Sequence, residues 1–418
     1  MLSFVRDKQY YKFCSYGFLK NLRFFDPFII LFFREMGFSF LQIGTLFAIR
    51  EIAINILEIP TGVVADSYGR RKSMVMSFLS YILSFLIFYF FPSFFYYTLA
   101  MLMFALGEAF RTGTHKAMIL EYLQVNNMQE SKVEYYGHTR ACSQLGSALS
   151  ALIAAGIVFY VGSYRIVFLA SVIPYIANLF LMLTYPKELD GSIERDKTGN
   201  ALKDSMVQIV NTLRSFAAIF KNPRFLKILI NSSSFDSVFK TVKDYIQPIL
   251  QSLALSLPVL LLLADNQRVA LITGIVYSLL YLLTSFASSR AGVVRRIIPS
   301  LPRAINLTFI LGALFIIATG LLLFSGFTVI SVVLFILFYM LHNLRRPLSI
   351  GYISELISNR VMATGLSGES QLKTILVALL APVMGSIADA LGIGPALLIM
   401  GFLLLIFFPL LKIKSREN

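Results

Sequence analysis

Glu108, Arg111 and His115 stand at i, i+3 and i+7 inside the apolar stretch FALGEAFRTGTHKAMIL (residues 104–120), with Lys116 beside them. At helical spacing these positions form one stripe, so the acid and the arginine can pair and the imidazole follows one turn on. A carboxylate, a guanidinium and an imidazole on one face can bind an anion, carry a proton or hold one helix to another. Charged side chains at a bilayer centre cost roughly 2.5–3.5 kcal/mol each on insertion scales, so such a stripe must face protein or water rather than lipid.

The pattern recurs. Arg23 and Asp26 lie three apart beside Pro27, and Asp236, Lys240, Lys243 and Gln247 make a second stripe with Asp244 alongside. His342, Arg345 and Arg346 form a third group. Asp26, Glu108 and Asp236 are carboxylates in apolar surroundings, where a proton and a solute can compete for one site, and the sequence leaves open which of them serves. His115 and His342 suit a proton carrier. Neither comes with an HExxH or a cysteine cluster, so no metal site and no cofactor is expected. Two further groups, Arg50, Glu51 and Glu58 and the pair Glu369 and Lys373, read equally as ion pairs between helices or as substrate contacts.

The elements that must position these residues follow from composition. The chain has 418 residues, 57% hydrophobic and 14% charged, with 38 Phe, and its mean hydropathy of +0.74 belongs to an all-α polytopic membrane protein. Apolar runs long enough to span the hydrocarbon core predict helices near 10–33, 40–67, 73–92, 95–123, 136–161, 164–184, 224–250, 267–290, 302–323, 327–358, 364–390 and 394–412. Residues 251–267 are expected to form an extended outer loop. The charged groups then fall on the first, fourth, seventh and tenth helices, with the weaker groups on the second and eleventh.

The net charge of +15 does not point to nucleic acid, because the basic residues cluster in short connections rather than on a soluble face. They gather near the N-terminus, in GRRK, across 187–227, in RAGVVRR and in the tail, while the opposite connections hold only Arg34, Arg165 and Arg268. This asymmetry predicts both termini in the cytoplasm of an inner-membrane protein with no cleaved signal peptide. Cys14 and Cys142 fall in apolar helices and read as packing residues.

The polar interval 186–223 divides six helices (1–185) from six (224–418), and its later part, from about Leu202, has the spacing of an amphipathic helix on the inner membrane surface. The halves echo each other. SQLGSALSALIAAGIVFYVGSYRIVFL (143–169) aligns with SQLKTILVALLAPVMGSIADALGIGPALLI (370–399), and Gly44 to Gly62 spans the same interval as Gly274 to Gly292.

TGVVADSYGRRKS (61–73) carries Gly62, Asp66, Gly69, Arg70, Arg71 and Lys72 at the end of the second predicted helix. This resembles the loop signature of the major facilitator superfamily, and APVMGSIADALG (381–392) is similar to the eleventh helix of its drug and metabolite members. The physical expectation is close helix approach at the glycines, a buried Asp66 seeking cationic or helix N-terminal partners, and arginines at the headgroups. The resemblance implies two pseudo-symmetric six-helix bundles, alternating access, and a central cavity lined by helices 1, 4, 7 and 10. It also implies an inner gate at the loop, to which Glu121 and Arg140, and Glu355 and Arg360, are candidate additions. The second-half loop has Arg296 where Asp66 would repeat, so a symmetric lock is not expected.

No Walker A sequence and no intramembrane protease motif appear, so ATP fuel and an embedded enzyme are not expected. The expected function is secondary transport, coupled to protons, of a small anionic or zwitterionic solute by a monomer in the bilayer. The basis is that Arg23, Arg111, Lys240, Lys243, Arg345 and Arg346 outnumber the carboxylates. The alternative is a proton-driven exporter of amphipathic compounds, favoured by the abundant Phe and Met.

Overall fold

The computed structural model describes residues 6–190, 223–258, 261–298, 300–356 and 359–414. The proposed amphipathic segment after Leu202 and the side chain of Arg360 lie outside the described residues. Among them, nine continuous helices are long and apolar enough to cross a membrane.

The three other predicted spans are not single helices. The first divides into α1 (Lys8–Lys20) and α2 (Ile29–Glu35), joined through a one-turn 3-10 helix at Asp26–Phe28. The fourth divides into α5 (Phe94–Arg111) and α6 (Thr114–Val125). The seventh divides into α9 (Pro223–Val242) and α10 (Ile246–Ser256) around a 3-10 turn at Lys243–Tyr245. Each break coincides with charged residues, and at the fourth span Gly113 takes φ 79, a left-handed conformation open to glycine without strain. Irregular backbone at membrane depth persists only where protein or water satisfies it. α10 continues to Ser256, so part of the expected outer loop is helix: QSLALS extends the apolar pattern of the turns before it.

The continuous helices are α3 (Phe40–Tyr68), α4 (Arg70–Phe90), α7 (Lys132–Val161), α8 (Ile166–Leu183), α11 (Asp265–Ser289), α13 (Leu301–Phe324), α14 (Thr328–Leu356), α15 (Asn359–Leu391) and α16 (Ile393–Leu411). A short helix, α12 (Ala291–Ile297), occupies the second-half loop.

The residues divide into two compact units, one within Met1–Phe28 and Ile49–Ile209, the other within Ile29–Ala48 and Val210–Asn418. Polar side chains join helices in the first unit. Ser73, Ser77 and Ser84 on α4 donate to the carbonyls of Phe110, Gly107 and Ala100 on α5, at 3.0, 2.7 and 2.7 Å. Such bonds contribute about 0.6 kcal/mol each in lipid, and they set the register of the element that carries Glu108 and Arg111.

Residues 29–48 pack with the second unit. A Cβ at Gly44 would overlap the Ala381 carbonyl, and one at Gly385 would overlap the Phe40 carbonyl, so α3 and α15 touch backbone to backbone. The Asp389 carboxylate accepts the Phe40 and Leu41 N–H groups at 2.9 and 2.8 Å, capping the start of α3. Gln247, fully buried, accepts the Ile30 N–H at 2.7 Å and donates to the Tyr277 hydroxyl at 3.1 Å.

Candidate functional site

In the first unit Glu108 is held between two arginines. Arg23 donates to one carboxylate oxygen and Arg111 to the other. Arg111 also donates through Nε to the Tyr81 hydroxyl at 3.3 Å. The i, i+3 pair expected from sequence is therefore present, with Arg23 from the first span completing it.

His115 does not extend that ionic stripe. The break at Gly113 turns it away, and its ring stacks on Tyr16 at 3.5 Å between centroids, with Nε2 3.2 Å from the Tyr185 hydroxyl. It is a buried packing residue in this conformation.

Beside the clamp lies a cavity of about 380 Å³, within the range of small-molecule sites. α1 contributes Tyr16, Lys20 and Asn21, and the break between α5 and α6 contributes Arg111, Gly113 and Lys116. α7 contributes Arg140, Ser143 and Gln144. Among the described residues no aspartate or glutamate lines it. Lys20 was not legible as a site residue because, inside the predicted span 10–33, no acidic residue stands three or four positions away to mark it.

In the second unit two carboxylates share one guanidinium. Asp236 on α9 meets His342 Nε2 at 3.2 Å and Arg346 Nη1 at 2.8 Å. The same Arg346 nitrogen donates to Glu369 on α15 at 2.6 Å. Glu369 is 1% exposed; Ser232 donates to its Oε1 at 2.5 Å, while Oε2 is buried without a hydrogen-bond partner among the described residues. Sequence alone left Glu369, four residues before Lys373, equally open to an ion pair between helices or a substrate contact, and gave no sign of Asp236 or Arg346 as its neighbours.

Arg345 belongs elsewhere, contrary to its grouping with His342 and Arg346. It is 1% exposed and donates to the Ile305 carbonyl at 3.0 Å and to Asn231 at 2.5 Å, with Phe235 beneath its guanidinium at 4.6 Å. Adjacent positions on a helix point about 100° apart, so Arg345 and Arg346 serve different faces. The predicted stripe on the seventh span likewise divides: Asp236 joins the cluster, Lys240 is half-buried on α9, Lys243 pairs with Asp244 at 2.6 Å, and Gln247 caps Ile30.

At the signature loop the expected roles change hands. Asp66 is exposed, not buried, and makes no hydrogen bond or ion pair with the described residues. The carboxylate at the start of α4 is Asp190, which accepts the Arg71 N–H at 2.7 Å and lies against Gly69, whose φ is 97. Arg71 donates to the Tyr185 carbonyl at 3.1 Å. Glu121 pairs with Arg70 at 3.2 Å rather than with Arg140, which faces the cavity. Glu355 pairs with Arg295 at 3.2 Å at an exposed position. A Cβ at Gly62 would meet open space.

Apolar spans, broken where they carry charge, with polar clusters buried between them, define a polytopic membrane protein. The chain belongs to the Major Facilitator Superfamily, whose sequence pattern matches residues 13–368. It is similar to the uncharacterized MFS-type transporter YxaM of Bacillus subtilis (strain 168), with 28% identity over 246 residues, 58% of this chain and 59% of that protein. The match thus spans less than two thirds of the relative's length. Among solved structures, the nucleoside transporter NupG has a TM-score of 0.74 at 13% identity, covering 97% of this chain and 98% of that one. A peptide transporter POT mutant in complex with sulfate has a TM-score of 0.69 at 14% identity, covering 98% and 96%. At those identities the likeness is one of fold. The chain is an integral membrane protein of that superfamily.

Proposed function

We propose that the chain is a proton-coupled secondary carrier of a small anionic or zwitterionic solute, working as a monomer by alternating access in a bacterial inner membrane with both termini cytoplasmic. The observation that carries this reading is the cavity of the first unit, lined by Lys20, Arg111, Lys116 and Arg140 and by no carboxylate. Cations in a low-dielectric cavity favour a ligand that supplies the missing negative charge.

The roles follow from that choice. Arg111, fixed by Glu108 and Tyr81, contacts the solute, and Arg23 keeps Glu108 occupied so that Glu108 does not repel it. Asp236, His342, Arg346 and Glu369 are the groups for proton coupling, because a guanidinium shared by two carboxylates shifts between them when either takes a proton. Gly69, Arg70, Arg71 and Glu121 form the inner gate, and the six-helix halves 1–185 and 224–418 move about the linker 186–223.

The test is uptake into proteoliposomes of known orientation with an imposed pH gradient. Accumulation of an anion that collapses with the gradient, and is lost in Arg111→Gln, is the expected result. Efflux of lipophilic amines that is unaffected by Arg111→Gln would replace it with an exporter of amphipathic compounds.

A further inference from the structure

The same cavity carries more than a preference for negative charge, and this step rests on the anionic-solute reading above. α6 starts inside it. Residues Thr112, Gly113, His115 and Lys116 line the wall, the first intrahelical bond of α6 is from Ala117 N–H to the Gly113 carbonyl, and Gly113 offers no side-chain cap. The N–H groups of the first turn at 114–116 therefore have no acceptor within the helix, and the positive end of its dipole meets the cavity. Oxyanions bind at such termini, and discontinuous membrane helices use them toward anionic substrate groups.

The side chains around that terminus are the second, independent observation. Arg111 is already engaged by Glu108, but Lys20 and Arg140 make no hydrogen bond or ion pair with the described residues, and Lys116 has only the face of Tyr136 at 5.7 Å. With Glu108 already divided between Arg23 and Arg111, Lys20, Lys116 and Arg140 leave the wall with more positive charge than one negative charge can match. Asn21, Thr139, Ser143, Gln144 and Ser147 add hydroxyl and amide groups on one side of a wall that Phe13, Tyr16 and Ile119 complete. On α7, Tyr136, Arg140, Ser143 and Ser147 follow helical spacing, so one face presents a cation and then hydroxyls.

We infer that this cavity binds a phosphomonoester with a small hydroxylated body, its phosphate set between the start of α6, Lys20 and Arg140 and its hydroxyls on the α7 face. A phosphomonoester supplies close to two negative charges and three acceptor oxygens, which a monocarboxylate does not. Two sources share that chemistry, a soluble polyol or sugar phosphate and the headgroup of phosphatidic acid.

The experiment uses the full chain in phosphatidylcholine nanodiscs and reads its melting temperature against glycerol 3-phosphate, glycerol and lactate. Stabilisation at pH 7.5 by glycerol 3-phosphate alone is expected, weakening as the pH falls below about 6, where the ester regains its second proton. Lys20→Gln or Arg140→Gln is expected to weaken the apparent Kd by about ten-fold, the loss of one charge-assisted hydrogen bond. Stabilisation only on adding phosphatidic acid to the disc, lost in Lys20→Gln, upholds the phosphate site with lipid as its source. Equal stabilisation by lactate and glycerol 3-phosphate overturns the phosphomonoester assignment while leaving the anion reading intact. No stabilisation by any of the anions in either disc overturns both. Should Lys20→Gln fail to fold, the wild-type ligand and pH series decides alone.

Discussion

The two units handle buried charge in opposite ways. In the first, one carboxylate, Glu108, is divided between two arginines, and the surplus positive charge faces a cavity. In the second, two carboxylates, Asp236 and Glu369, compete for one arginine, and its buried neighbour, Arg345, is committed to a carbonyl, an amide and two aromatic faces. The two units thus differ in balance, arginines outnumbering carboxylates in one cluster and carboxylates outnumbering arginines in the other. A clamped carboxylate with every oxygen satisfied is a fixed part, whereas one with a buried free oxygen has an alternative state available to it.

The sharpest way to break this comparison is to remove the clamped acid. Glu108→Ala leaves Arg23 and Arg111 facing each other without a counter-charge, and breaking a buried pair in this way is expected to cost about 3–5 kcal/mol. Thermal unfolding in detergent measures it; a change under about 1 kcal/mol would mean that the arginines find other partners and the clamp is not a fixed part. A second contrast separates neighbours on α14. Arg345→Gln should lower stability by about 2–3 kcal/mol through an orphaned Asn231 and Ile305 carbonyl, with the transport that remains showing its usual pH profile. Arg346→Gln should leave the protein folded and flatten that profile, since Asp236 and Glu369 lose the group they share.

The sequence made the membrane class, most spans and the charged helices legible, because hydropathy and length act along the chain and need no partner. Glu108 with Arg111 was legible for the same reason, being a local i, i+3 pair. What it could not convey were pairings across elements: Arg23 with Glu108, Arg346 with Glu369, Asp190 with the Arg71 N–H. The helix breaks were also hidden, because Gly113 sits in a window whose average hydropathy barely registers one residue. Adjacency on a helix sets Arg345 and Arg346 about 100° apart, but nothing in the sequence says which of the two faces meets Asp236 and Glu369.

Glycines sharpen the contrast at the next size of effect. Gly385→Ala places a methyl onto the Phe40 carbonyl, a backbone atom that cannot swing aside, so a loss of about 1–3 kcal/mol is expected. Gly62→Ala, although it alters the signature loop, meets no atom within 4 Å, and adding a methyl to an exposed helix position should change stability by no more than about 0.5 kcal/mol, and in the favourable direction. Equal losses at the two sites would show that the loop glycine is held by contacts the present conformation does not make.

The smallest effect distinguishes the two aspartates at that loop. Asp190 accepts the Arg71 N–H at 2.7 Å at the start of α4, so Asp190→Ala removes a cap and should cost about 1 kcal/mol. Asp66 is exposed and unengaged among the described residues, so Asp66→Ala should be near neutral for stability, within about 0.5 kcal/mol. Transport rates complete the argument, because a residue idle in one conformation can be engaged in another. If Asp66→Ala slows transport without altering the melting temperature, Asp66 acts in a state other than this one, and the signature is divided between a carboxylate that holds the loop here and one that holds it after the carrier has turned over.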